Sequence, residues 1–445
     1  MKENVSRSYV STLLQRFQDS QQEKSETSSD DVSHILPSQS RPANVKKSLS
    51  ASRYIGALSC LSQSLPFMRT PAMETLPIPS PPLLLLRKES EFKIDQKTHK
   101  YLVQRYLCDI HPLYPFLDEK LPFFSPDWDI QSHNTMPSPR ESFMLGMIFS
   151  ISSHRVIDGS RNHEQAELYL NLGNQCHRNG LKFFEKAATD ISLQTLQVVT
   201  LAALHSLLSP QDGNFGQLIG LAARLAIDLG IGNRPRGNSN EDNKIPQIYK
   251  SVYCLENQYA TAMDRPSLLP EPIIEMESTD PQDMLCALYR IQSRFRSHAA
   301  NAEVDTSLRE IVALLNIIEH VPTGPRQNII AVAFETRLVI QGDDEDSAVC
   351  LIETYSQGSY FCTSLTPIWA FRAGSIVASK LSRTYDEHAA SASLLRNFNK
   401  SHQAYSSCLL VLDQLSRRWP SADSLRISLQ SYTETKTTGL DVNSC

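Results

Sequence analysis

The chain has 445 residues, enough to bury a large hydrophobic core. Its 43 basic and 48 acidic residues give a formal net charge of −5, so no excess of positive charge favours direct binding to nucleic acid. Only 16 glycines occur and strand-like alternation is rare, which predicts an all-α fold. The apolar runs are too short to span a membrane, so no membrane partner is expected.

The N-terminal segment, residues 1–24, predicts a short amphipathic helix. Its apolar stripe at helical spacing consists of Val10, Leu13, Leu14 and Phe17. Two interpretations stay open, because one short stripe is compatible with a dimerisation surface and with a frayed helix that has no partner. The serine- and proline-rich composition of residues 25–90 predicts a disordered linker, so we expect a disordered N-terminal arm ahead of the helical body.

The remaining chain predicts antiparallel helices in one multi-helix body, divided into residues 91–280 and 281–432, and residues 433–445 predict a flexible tail. Asp95 is the expected N-cap of the first helix. Apolar periodicity then predicts further helices over 141–154, 164–186, 193–208, 218–229, 246–263, 284–295, 308–318, 329–340, 368–381 and 394–419.

The centre of this body is residues 214–266, which hold two strongly periodic helices and their connection. Gly230 stands where a C-terminal glycine of the first helix is expected. Gly220 and the alanines at 222, 223 and 226 make one face of that helix thin, so we expect a neighbouring helix to approach closely there. The second helix is expected to begin near Pro246 and to end before Pro266.

This stretch resembles the middle homology region of fungal zinc-cluster (Zn2Cys6-type) transcription factors. In that family a helix reading G-x-A-x-R-x-A-x-x-L-G leads through a polar loop into a helix that closes on an R-P pair. The matching motif residues, with structural or regulatory roles in the family, are Gly220, Ala222, Arg224, Ala226, Leu229, Gly230, Arg265 and Pro266. The chain departs from the family pattern at Asp264, where glycine is usual, and at Glu256, where aspartate is usual.

Shorter stretches resemble the same family. Residues 6–13 look like the segment that follows the zinc cluster, and residues 111–117 match an H-P-x-x-P opening of the helical body. Residues 418–422 resemble a closing R-W-P-x-A element. The family's zinc cluster itself is absent from this sequence, because the closest of the nine cysteines, Cys350 and Cys362, are twelve residues apart.

The resemblance implies a transcription regulator in a fungal nucleus, which controls a pathway-specific set of secondary-metabolite or nutrient-use genes and is not an enzyme. Without its own zinc cluster, the protein is expected to associate with DNA indirectly, through a homo- or heterodimeric protein partner. The alternative is that a zinc cluster is encoded upstream of Met1. A small-molecule effector bound between helices is left open.

Other chemistry is weakly indicated. The acidic residues 343–346 loosely resemble the magnesium-binding motif of terpene synthases, which keeps an all-helical enzyme or scaffold as the alternative function. A solvated acidic turn that opens a helix explains them more simply. His133, His154, His163 and His177 show no ligand spacing, so no metal site, cofactor or catalytic residue is predicted. Arg265 is expected to hold helix-end carbonyls or a carboxylate such as Asp228 or Glu256.

Overall fold

The computed structural model describes residues 94–125, 128, 137–159, 163–232, 240–275, 278–297, 304–358, 360–386 and 392–441. These residues form fourteen α-helices and contain no β-strand, which confirms the predicted all-α fold. The predicted N-terminal helix, its stripe of Val10, Leu13, Leu14 and Phe17, and the linker lie outside the described residues.

The first helix begins directly after the predicted N-cap residue Asp95. The Asp95 Oδ1 atom accepts a hydrogen bond from the Thr98 N–H at 2.7 Å. A short π-helical turn, Tyr106–Ile110, follows the first helix and ends at the His111–Pro112 pair. The helices of this part are α1 Gln96–Arg105, α2 Pro139–Gly159, α3 His163–Leu181, α4 Phe184–Ala187 and α5 Leu193–Leu208.

The middle and C-terminal parts continue as helices. The middle part contains α6 Phe215–Asp228, α7 Asn240–Met263, α8 Pro281–Ser297 and α9 Val304–Asn316. The C-terminal part contains α10 Thr323–Gln341, α11 Glu345–Ser356, α12 Thr366–Asp386, α13 Ala392–Ser416 and α14 Ser421–Asp441. None of the helices in the described residues is long and apolar enough to cross a bilayer.

Most helices pack on their neighbours in the chain. α2 packs on α1, α3 and α5, and a series of contacts then runs from α5 through α6 and α7 to α8. α8 packs on α10, and α10 to α14 continue the series. The buried apolar side chains form one cluster from Ile94 to Leu429. One hydrophobic core therefore spans both predicted parts of the helical body.

The contact of α2 with α3 depends on two glycines. A Cβ atom on Gly146 would lie 2.7 Å from the Gly180 Cα atom and 2.8 Å from the Cys176 carbonyl oxygen. The two backbones therefore meet where neither helix has a side chain. Such a close approach brings more of the flanking apolar side chains into contact than a larger residue would allow.

The structure departs from the predicted helices in a few places. α7 begins at Asn240 and not near Pro246, which lies inside the helix. Proline is common at the first helical position, so the sequence pattern placed the start too late. α11 is the helix that the acidic turn at 343–346 is expected to open, and α14 is an additional helix that includes residues 433–441, whose flexibility stays a prediction.

The element that resembles R-W-P-x-A joins the C-terminal helices to the first half of the fold. Arg418 lies 2.9 Å from the Asp158 carboxylate at the end of α2, and both side chains are buried. The Trp419 indole N–H donates to the Leu208 carbonyl oxygen at the end of α5, at 3.1 Å. Trp419 thus satisfies a carbonyl group that a helix end leaves without an intrahelical partner.

Candidate functional site

The candidate site is the pair of helices α6 and α7 with the turn after α7, which together carry the motif residues. α6 starts behind Asn214, whose Oδ1 accepts a hydrogen bond from the Gln217 N–H at 3.1 Å. Ala222 and Ala226 are fully buried. Arg224 is exposed on the surface of the helix, where it pairs with Asp228. An exposed pair of this kind stabilises a helix by only a few tenths of a kcal/mol.

On the predicted thin face of α6 the three alanines are buried, whereas Gly220 meets open space, and the close contact with α7 is at Gly216. A Cβ atom on Gly220 would meet no atom within 4 Å. One on Gly216 would lie 2.2 Å from the Tyr259 hydroxyl oxygen. The Tyr259 ring also packs edge-on against Phe215, with ring centres 5.5 Å apart. Gly216 therefore provides the space that the Tyr259 ring occupies.

The C-terminus of α6 is closed by Gly230, as the sequence predicts. Gly230 has a φ of 62°, the left-handed conformation that glycine adopts without steric cost. Its N–H donates to the Ile227 carbonyl oxygen at 2.9 Å, and the Ile231 N–H donates to the Ala226 carbonyl oxygen at 3.3 Å. These two bonds form a Schellman motif, which satisfies helix-end carbonyl groups.

α7 ends in the same motif, with Asp264 in place of glycine. Asp264 has a φ of 50° and is the only non-glycine residue with positive φ in the described part of the chain. Its N–H donates to the Thr261 carbonyl oxygen at 3.2 Å, and the Arg265 N–H donates to the Ala260 carbonyl oxygen at 2.8 Å. The departure from the family's usual glycine therefore changes the residue but keeps the helix end.

Glu256 is buried in α7 and holds the segment that leaves the helix. Its carboxylate accepts hydrogen bonds from the Ser267 hydroxyl at 2.7 Å and from the Leu268 N–H at 3.1 Å. Burial raises the pKa of Glu256, while these hydrogen bonds and the charges of Arg296 and Arg265 oppose that rise. Glu256 thus fixes the chain after Pro266, which is itself exposed.

Arg265 adopts only part of the predicted role. Its guanidinium lies over the Tyr259 ring, with the carbon atom 4.6 Å from the ring centre, so it makes a cation–π contact. Its charge also acts on the pKa of Glu256. The other predicted partner, Asp228, pairs with Arg224 instead. The Tyr259 ring therefore links Gly216 on α6 to Arg265 after α7.

The helix-end contacts that were predicted for Arg265 are made by Arg296, which lies near the end of α8. The sequence analysis predicted no role for Arg296. Its guanidinium donates to the Arg265 carbonyl oxygen at 3.1 Å and to Asn257 Oδ1 at 3.0 Å. A third hydrogen bond goes to the Thr261 hydroxyl. A basic residue in the last turn of a helix is common, so the sequence alone gave no specific signal for this role.

The acidic turn, which carries the alternative function, makes contacts within the protein. Asp344 accepts a hydrogen bond from Arg337 at 3.0 Å and another from the Ser347 hydroxyl. Glu345 accepts one from the Ser401 hydroxyl at 2.6 Å. Asp346 lies 3.6 Å from the Lys400 ammonium nitrogen. These contacts fit a turn that begins α11 and joins it to α10 and α13.

The site as a whole fixes the relative position of α6, α7 and α8. Its hydrogen bonds close the end of α7, orient the segment after Pro266 and attach both to α8 through Arg296. The residues that do this serve packing, capping and charge compensation.

Comparison with known families gives one match. Residues 103–318 match the family described as the fungal specific transcription factor domain, which is the middle homology region of fungal Zn2Cys6 transcription factors. A search among curated proteins found no match. The matched residues include all of α6 and α7 and the turn that holds Arg265 and Pro266. The chain therefore carries a fungal specific transcription factor domain over residues 103–318, which is just under half of its length.

Proposed function

We propose that the protein controls a pathway-specific set of genes in a fungal nucleus, for nutrient use or secondary metabolism. The family domain over residues 103–318 carries this proposal. The geometry of the α6–α7 pair supports it, because the motif residues close helix ends, pack between helices or fix the turn after α7. In this proposal the helical body is the regulatory part of the protein, and it changes transcription from the target promoters.

DNA contacts come from a protein partner in this proposal. The net charge of −5 gives no electrostatic attraction to phosphates, and the nine cysteines contain no C-x-x-C pair. The partner is a second copy or a related factor, and the zinc cluster of the complex comes from a related factor, because a second copy has the same scattered cysteines. The stripe of Val10, Leu13, Leu14 and Phe17 is the proposed contact, and it lies outside the described residues. Binding of a small-molecule effector by the helical body remains a separate prediction.

The experiment that tests the function starts from the native gene with an epitope tag. Microscopy, chromatin immunoprecipitation and transcript profiling of the deletion strain should show a nuclear protein, enriched at a restricted set of promoters whose transcripts change. Rescue by an Arg265→Ala variant should be weaker than rescue by Arg224→Ala, because Arg265 contacts Tyr259 whereas Arg224 is exposed and pairs only with Asp228 in the same helix. A cytosolic protein with no promoter enrichment would contradict the proposal.

Two further measurements test the partner. Co-purification from the tagged strain should recover a zinc-cluster protein, and deletion of that partner should abolish promoter enrichment. Sequencing of the 5′ end of the transcript decides the alternative. An in-frame cysteine-rich segment ahead of Met1 would mean that the protein contacts DNA itself.

A further inference from the structure

Three histidines that are far apart in the sequence meet inside the first half of the fold. His154 lies on α2, His177 on α3 and His205 in the last turn of α5, and all three are buried. The His177 and His205 rings stack with centres 4.1 Å apart and an angle of 5° between their planes. Asp212, in the turn that follows α5, lies beside them. The sequence analysis missed this cluster because it compared spacing along the chain only.

We infer that His177, His205 and Asp212 bind a divalent transition-metal ion, with Zn²⁺ as the ion that the ligands fit best. One ligand atom from each residue lies within 4.8 Å of the other two. Imidazole nitrogen and carboxylate oxygen are ordinary zinc ligands, at distances of about 2.0–2.2 Å. Ligand atoms around a tetrahedral ion are therefore roughly 3.4 Å apart. Closing the site requires the His177 and His205 rings to turn out of their parallel stack, because an ion lies in the plane of each imidazole that binds it.

His154 supplies a second, independent observation. Its side chain is only 2% exposed, and neither ring nitrogen has a hydrogen-bond partner. A buried polar group without a partner is costly, which calls for an explanation. The ring centres of His154 and His205 are 5.9 Å apart. His154 is not in the group whose ligand atoms lie within 4.8 Å of one another, so it would become a fourth ligand only by a larger movement.

The residues around the cluster resemble the outer shell of a metal site. The Ser209 hydroxyl donates to Asp212 Oδ2 at 2.6 Å, which orients the carboxylate. The Ser150 hydroxyl lies 2.9 Å from His205 Nε2, which leaves Nδ1 of that ring for another partner. Hydrogen bonds of this kind hold ligands in place and raise metal affinity.

The charges around the cluster also suit a cation. The buried positive charge of Arg418, which acts on His154 and His205, is compensated by Asp158. Asp212 adds one negative charge beside the rings. A bound ion would join α3, α5 and the turn that leads into α6, independently of the function proposed above.

The test uses the full chain, stripped of metal with a chelator and titrated with ZnCl₂ in a calorimeter. We expect one strongly bound Zn²⁺ per chain that is absent or at least about tenfold weaker in Asp212→Asn and His177→Gln. His402→Gln is the matched control, since His402 is exposed on α13 and should leave this affinity unchanged. Co²⁺ in place of Zn²⁺ should give the absorption bands of a tetrahedral site.

A second readout separates binding from misfolding. Zn²⁺ should raise the melting temperature of the wild type and of His402→Gln but not that of Asp212→Asn, a half-buried and conservative change. Circular dichroism in the absence of metal checks that the variant is folded. Wild-type affinity and stoichiometry in folded Asp212→Asn would place the binding elsewhere and overturn the inference. A wild type that binds no Zn²⁺ would do the same.

Discussion

Replacing each of three glycines around α6 with alanine should have three different effects on stability. Gly220 lies inside the helix, and an added Cβ would meet no atom within 4 Å. Alanine is favoured over glycine in a helix interior by about 0.8–1.0 kcal/mol. Gly220→Ala is therefore expected to raise the free energy of unfolding by nearly that amount, although Gly220 is a motif residue.

Gly230→Ala is expected to have the opposite sign. The added Cβ again meets nothing within 4 Å, so steric crowding by neighbours is excluded. The φ of 62° is the cause, because a left-handed conformation costs a residue with a Cβ about 1–2 kcal/mol. Alanine also lowers the conformational entropy of the unfolded chain, which offsets this cost by about 0.4–1 kcal/mol. The net result is a loss of about 1 kcal/mol.

Gly216→Ala tests the contact with Tyr259. The Cβ would lie 2.2 Å from the Tyr259 hydroxyl oxygen and 2.4 Å from the ring carbon that bears it, so the ring must move. Overpacking of this kind costs about 1–3 kcal/mol. The movement also disturbs the contact with Arg265. In a Tyr259→Ala background the same substitution has nothing to displace and should cost little.

Urea unfolding of the full chain, followed by far-ultraviolet circular dichroism, measures all three effects. The double-mutant cycle of Gly216 and Tyr259 should show a coupling energy above about 0.5 kcal/mol, as expected for residues in contact. The reasoning is refuted if Gly220→Ala destabilises the protein as much as Gly230→Ala does. It is also refuted if Gly216→Ala costs the same with and without the Tyr259 ring.

Three further predictions concern buried charge and strain. Arg418→Met should lower the free energy of unfolding by about 3–5 kcal/mol, because Asp158 stays buried without its partner. Adding Asp158→Asn should restore much of the lost free energy, as measured by urea unfolding. Burial raises the pKa of the Glu335 carboxyl group from 4.5 to about 7. The protonated carboxyl group therefore stabilises the folded state fully below pH 4.5, and this stabilisation should be lost as the pH rises through 7. Unfolding of Glu335→Gln over this pH range should lack that loss, which is at most about 3 kcal/mol. Asp264→Gly should change the melting temperature little or raise it, whereas Asp264→Val should lower it, because valine tolerates the φ of 50° poorly.

Local features of the fold could be predicted from the sequence because each depends on a few adjacent residues. The helix over 193–208 follows from its apolar periodicity, and the caps at Asp95 and Gly230 follow from residue type at a helix end. The late start predicted for α7 shows the limit of such rules. A proline at 246 is tolerated inside the helix, and local preference alone cannot show this.

Features that depend on the meeting of distant segments could not be predicted. Helical periodicity identifies the thin face of α6, but not that α7 comes closest at Gly216 and leaves Gly220 open. Arg296 is far from Arg265 in the chain, and only the packing of α8 against α7 brings them together. The histidine cluster likewise requires the contacts of α2 with α3 and α5.

The family domain and the C-terminal helices share one core, although the family match ends at residue 318. α8 lies inside the matched segment, yet it packs on α10, which follows it. Asp158 and the end of α5 depend on Arg418 and Trp419 for their buried partners. Without the C-terminal helices the matched segment would expose an apolar face, and Asp158 would lose its ion-pair partner Arg418. The C-terminal helices are thus joined by direct contacts to the ends of α2 and α5, next to the turn that leads into the motif helix α6.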